Sequence, residues 1–254
     1  MKRLLISVVA VAALAAPSAA LANGVVLKVQ RGNHLVAVTS AGSKVALVHT
    51  SAAARLHVGQ RVALTARTLH NGTLAATTMR VVGRAHTVRF RGLLLAKSRT
   101  RLVVSAGGAV IALHRGARAT ASANDTGPAP GATVDVTATV GDNDDLDEST
   151  LNTVSADAPG GAIEGKLTLG TGKITVVSEH MALVLNVPTG FDLTKFANGD
   201  EVLARFTQGT DGTLTLTALS GDDNEQEADQ GDGDHHGDGG GDDNGGGDGG
   251  GGDD

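Results

Sequence analysis

The chain has 254 residues, 2% of them aromatic, with four Phe, no Trp or Tyr and no Cys. That length allows one large domain or roughly two to four small ones, and any core must be built from Val, Leu, Ile and Ala. Disulfides, thiolate metal sites, a cysteine nucleophile and a lipid-modified cysteine are excluded.

The formal net charge of −6 conceals a bipolar distribution. Residues 23–120 carry fifteen Lys or Arg and no Asp or Glu, residues 121–220 four basic and fourteen acidic residues, and residues 221–254 thirteen acidic and no basic ones. Such blocks of one sign are drawn to partners of the other.

In chain order, residues 1–22 come first: Met1-Lys2-Arg3, an apolar run to Ala16, then a small-residue stretch ending Ala20-Leu21-Ala22. This is the pattern of a cleaved secretory signal, too short to span a bilayer comfortably. Cleavage after Ala22 leaves Asn23 as the new N-terminus. No later stretch approaches the roughly 20 apolar residues of a membrane span. The mature chain is therefore expected without a membrane span and in a secreted, extracytoplasmic location.

Residues 23–220 repeat a pattern. Gly59-x-x-Val62, Gly131-x-x-Val134 and Gly199-x-x-Val202 are spaced by 72 and 68 residues, and each opens an alternating run. Leu74, Leu151 and Leu214 follow fifteen, twenty and fifteen residues after those glycines and open a last run. Three further runs precede each motif: 25–29, 35–38 and 45–48; 88–95, 102–104 and 109–113; 163–169, 174–177 and 181–187. The runs are rich in Val, Ile and Leu and are bounded by Gly, Asn, Asp and Ser, which predicts strands. Asn71-Gly72 and Asp211-Gly212 predict tight hairpins between the last two strands. In the middle copy, residues 141–148 are read as an acidic hairpin insertion.

The predicted fold is all-β: three tandem, small, five-stranded antiparallel, OB-like barrels followed by a disordered acidic tail. The expected boundaries are 1–22 for the signal, 23–85, 86–158 and 159–220 for the barrels, and 221–254 for the tail. The opening glycines Gly24, Gly92 and Gly165, the central Gly-x-x-Val and the closing Asn/Asp-Gly-Thr-Leu hairpin resemble a bacterial domain family of unknown function. That family occurs in exported proteins, often as repeats. The resemblance implies a small OB-like five-stranded barrel per copy and carries over no catalytic residue.

No G-x-S-x-G elbow, H-E-x-x-H helix or phosphate-binding G-x-x-x-x-G-K-[ST] loop is present. His34, His49, His57, His70, His86, His114 and His180 lie within the repeats, where structural or surface roles are expected. A catalytic pair in the first 124 residues needs a distant partner, because no carboxylate is near in sequence. No enzymatic activity is expected.

Two binding readings remain. The first is a non-enzymatic, exported β-repeat module attracted to anionic polymers through Lys28, Arg31, Lys44, Arg55, Arg61, Arg67, Arg80, Arg84, Arg89 and Arg91. Its expected partners are an anionic cell-envelope polymer or the chain's own acidic tail. Sequence-specific nucleic acid is not expected, because aromatic stacking platforms are nearly absent. The second is an extracellular divalent-cation-binding protein. It would use Asp142, Asp144, Asp145, Asp147 and Glu148 with His235 and His236 for weak calcium or zinc. No other cofactor is expected.

Overall fold

The computed structural model describes residues 23–40, 42–115, 127–155, 160–178 and 181–221. Residues 1–22 and most of the acidic segment, with its paired histidines, lie outside them. Among the described residues no helix is long and apolar enough to cross a membrane.

Among the described residues fifteen strands form three closed barrels. The first contains β1 (Gly24–Gln30), β2 (Leu35–Thr39), β3 (Val45–His49), β4 (Gln60–Thr68) and β5 (Leu74–Arg84), with a 3-10 turn at Ser51–Arg55 between β3 and β4. The second contains β6 (Thr87–Lys97), β7 (Arg101–Ala106), β8 (Ala109–Arg115), β9 (Thr133–Val140) and β10 (Leu146–Ser155). The third contains β11 (Gly160–Gly170), β12 (Lys173–Ser178), β13 (Met181–Asn186), β14 (Glu201–Gln208) and β15 (Leu214–Gly221). In every copy the first strand pairs with the second and fourth, and the third meets the fifth. The pairings are antiparallel except for short parallel closures at β3–β5, β8–β10 and β13–β15. This is the OB-like arrangement predicted from the repeats, with closure leaving no open sheet edge.

The recurring glycines explain how a single blueprint closes three times. Gly24, Gly92 and Gly165 pair directly opposite Val62, Val134 and Val202. A Cβ at Gly165 would stand 2.2 Å from the Val177 carbonyl oxygen, and one at Gly92 2.4 Å from that of Ser105. The first strand thus crosses the second too closely for any side chain. The central glycines Gly59, Gly131 and Gly199 have φ of +82°, +94° and +98°. That conformation is costly for a residue with a Cβ. Their N–H groups donate to the carbonyls of Val26, Leu94 and Leu167, each at 2.8 Å, fastening the fourth strand to the first.

The middle copy differs from the sequence alignment. β10 begins at Leu146, which is fifteen residues after Gly131 and equivalent to Leu74 and Leu214. The hairpin at 141–145 is therefore as long as those at 69–73 and 209–213, and it is no insertion. Leu151 lies further along β10, opposite Val136. The extra residues of this copy fall between Gly92 and Gly131. Asp144, with φ of +62°, occupies the place that Gly72 and Gly212 fill in the sister turns.

Several strands are buried on both faces. In the second barrel Leu94, Val104 and Ile111 belong to one apolar cluster, which extends to Leu27, Leu47 and Val58 of the first barrel and Leu203 of the third. Their neighbours Leu93, Val103 and Val110 pack with Ile163, Val176 and Phe206 of the third barrel. Continuous apolar runs are the mark of strands covered twice. Polar bonds accompany the packing. Thr39 Oγ1 donates to the Arg89 carbonyl at 2.9 Å. Ser105 Oγ, buried, donates to the Ala162 carbonyl at 2.7 Å and accepts from its N–H at 2.9 Å. Gln30 Nε2 donates to Ser178 Oγ at 2.8 Å. Each barrel therefore touches both others, through apolar contact and through hydrogen bonds between barrels.

Two predictions follow from this geometry. Gly165→Ala should lower unfolding free energy by about 1–3 kcal/mol, the usual cost of forcing a group into filled space. Gly32→Ala, with nothing within 4 Å of the added carbon, should stay within about 0.5 kcal/mol of the parent in urea unfolding. The second concerns the hairpin turns. Asp211 accepts from the Thr213 N–H at 3.0 Å and its hydroxyl at 2.6 Å, and these bonds hold its carboxyl below the ordinary aspartate range. The stabilisation is present above the unfolded value near about 3.9 and fades as pH falls through the folded one. Asn71 makes the same two bonds to Thr73 without a titrating group. In an NMR titration the Thr213 amide should move with a midpoint below about 3.9, and Asp211→Asn should abolish that movement. A midpoint at or above that value would refute the assignment.

Candidate anion-binding groove

Strand alternation decides where the cations point. On β4, Val62, Leu64 and Ala66 are buried while Arg61 and Arg67 are exposed. Ala63 faces Arg80 across the β4–β5 ladder, so Arg80 shares the outer surface with Arg61 and Arg67. On β6, Val88 and Phe90 enter the second barrel's core, which turns Arg89 and Arg91 outward.

A groove of about 560 Å³ runs between the first two barrels, and it brings Arg61 and Arg89 together. Its walls come from the start of β1 at Gly24 and Val25, from Thr39 and Ser43, and from Val82. Arg61 and Arg89 make no hydrogen bond or ion pair through their guanidinium groups among the described residues. Val82 is 45% exposed and its neighbour Val81 is 48%, so apolar surface lies beside the charge.

Arg91 is differently placed. It sits directly opposite Asp135 on β9 and grips it with Nε at 2.7 Å and Nη2 at 3.0 Å. The hydrogen bond from Arg91 is the main cause holding the Asp135 carboxyl below its usual range, and the charge of Arg89 adds to it. The same pairing raises the Arg91 value. Both groups are substantially exposed, so the pair adds little stability. Its consequence here is that Arg91 already has an anion. The other predicted cations are spread around the first barrel: Lys44 before β3, Arg55 at the end of the 3-10 turn, and Arg84 at the end of β5. Lys28 and Arg31 line a different cavity, between all three barrels.

The predicted cation ligands are not brought together. Asp144 Oδ2 meets His57 Nδ1 at 2.8 Å, and Asp145 Oδ1 lies 3.9 Å from His114 Nε2. Glu148 accepts from Arg115 Nε at 3.2 Å. Asp142 and Asp147 are exposed on the turn and on β10. Among the described residues no three His, Asp or Glu side chains are placed to hold one ion. His235 and His236 lie outside the described residues. The bond between His57 and Asp144 joins residues 87 apart and was not foreseen. The available signal was Asp144 standing at a turn position that the sister copies give to glycine.

No family model matches the chain, and no curated protein matches it. Solved structures are similar to it, among them these two. Drosophila Unr CSD456 is 12% identical with a TM-score of 0.24, covering 83% of this chain and 100% of that one. A multidomain protein with nucleic acid binding domains from Streptococcus pneumoniae TIGR4 is 14% identical with a TM-score of 0.25, covering 77% of this chain and 71% of that one. The second finding corrects the expectation that excluded sequence-specific nucleic acid as a partner. At these TM-scores neither structure assigns a ligand to this chain.

Proposed function

We propose that this chain is a non-catalytic binding module for anionic polymers, exported and related to the bacterial repeat proteins whose glycine and valine spacing it resembles. The observation that carries this reading is the convergence of Arg61 and Arg89 on one groove, with no ion-pair partner for either guanidinium among the described residues. The groove belongs to a stretch in which fifteen cations meet no carboxylate in sequence, so an anion must come from elsewhere in the fold or from a ligand. Repeated anionic groups binding there release counterions, which gives affinity a steep dependence on salt.

Elution from immobilised mixed-sequence single-stranded DNA and from immobilised polyphosphate tests the reading. The folded double variant Arg61→Ser/Arg89→Ser should leave both supports at lower salt. Its slope of log affinity against log salt should fall by about 1.4 on the DNA, at about 0.7 per contact for single strands. Lys173→Ser, on the third barrel, should elute with the parent. Co-elution of the folded double variant with the parent would overturn the groove assignment. For export, N-terminal sequencing of chain recovered outside the cytoplasm should begin at Asn23. Recovery only of cytoplasmic chain retaining Met1-Lys2-Arg3 would overturn that part.

A further inference from the structure

A second cavity, of about 270 Å³, lies where the three barrels meet, away from the Arg61 and Arg89 groove. Its apolar lining comes from every barrel: Leu27 and Val58 from the first, Ile111 and Leu146 from the second, and Met181 from the third. At about 30 Å³ per water this is room for roughly nine waters, or for one small organic molecule. Its charged groups are arranged asymmetrically. Arg31 and Arg101 line it, and their guanidiniums make no hydrogen bond or ion pair among the described residues. The carboxylates on the same lining face histidines instead: Asp144 meets His57 at 2.8 Å, and Asp145 lies 3.9 Å from His114. With Lys28 the lining carries three cations against these two carboxylates, a formal excess of one positive charge.

Two further features lie at or beside the cavity. Asp144 holds a left-handed backbone at φ of +62°, where the sister turns use Gly72 and Gly212, and it reaches across to the first barrel. Beside the cavity, Gln30 is 3% exposed and donates to the lining residue Ser178 at 2.8 Å. Its carbonyl oxygen has no hydrogen-bond partner among the described residues.

We propose that the junction cavity binds a small carboxylate with an apolar body, the carboxylate seated between Arg31 and Arg101 and the body against Leu27, Val58, Ile111 and Leu146. Guanidinium groups recognise carboxylates through paired N–H donors, and the apolar walls reward burial of a short hydrocarbon chain. This site does not depend on the polymer-binding groove. Bound there, the ligand would touch all three barrels at once and fasten them together.

Calorimetry on the full chain with hexanoate, hexan-1-ol and hexylamine decides the matter. Hexanoate should bind saturably at one site per chain and at least tenfold tighter than the alcohol, with hexylamine weakest. Arg31→Ser/Arg101→Ser should remove the advantage of hexanoate over hexan-1-ol. Ala112→Trp, an exposed position on the lining, should block hexanoate while elution from the polyanion supports stays at the parental salt concentration. Conversely, Arg61→Ser/Arg89→Ser should bind hexanoate as the parent does, so failure of one site is distinguishable from failure of the other. Heats that never saturate, equal affinity for acid and alcohol, or a preference for hexylamine would each overturn the proposal.

Discussion

The structure depends on a crossing too tight for a side chain. In each barrel the first strand passes over the second at Gly24, Gly92 or Gly165, and the facing residue on the fourth strand is Val62, Val134 or Val202. Glycine permits the approach and valine fills the core on the other side of the pair. With the first strand bent there, the N–H of Gly59, Gly131 or Gly199 reaches its carbonyl partner two residues beyond the opening glycine. The two glycines and the valine are thus one device. They close a barrel of about sixty residues that has few aromatic side chains to fill its interior.

Closure alone leaves small cores, and the chain compensates by covering the outside of its strands. Leu93 and Leu94, Val103 and Val104, and Val110 and Ile111 are neighbours that point to opposite faces, one of each pair into the second barrel and the other onto the third. The junctions are aliphatic like the interiors, and Ser105 among their polar groups is matched by both backbone groups of Ala162. A buried hydroxyl without such partners would cost about 1–3 kcal/mol. The cavities between barrels arise from this design, because convex barrels in contact leave gaps where three surfaces meet.

Much of this was legible in the sequence. Alternation and turn residues marked the strands, and the repeat period marked the copies, because both follow from local backbone preference. In the middle copy Leu151 repeats the apolar pattern of Leu74, while the structural equivalent, Leu146, sits among Asp145, Asp147 and Glu148. Acidic neighbours made a strand start look like a loop, yet alternation lets Leu146 point inward while Asp147 faces water. Pairings between barrels were not legible. Nothing local links His57 to Asp144, or Gln30 to Ser178, across 87 and 148 residues. Nor does spacing reveal that Arg91 is claimed by Asp135 while Arg89, two residues earlier, has no ion pair.

That last contrast carries the functional reading. Exposed cations are ordinary, and most are solvated without consequence. In this fold, however, two carboxylates of the second barrel are already matched to guanidiniums: Asp135 to Arg91 and Glu148 to Arg115. Each engagement removes an anion that would otherwise neutralise a neighbouring guanidinium. Concave surface then raises the effect of what is left, since a charge in a groove is less screened than one on an open face. Arg61 and Arg89 in one recess, and Arg31 and Arg101 in another, are where positive charge and concavity coincide. Among the described residues no carboxylate lines the recess of Arg61 and Arg89.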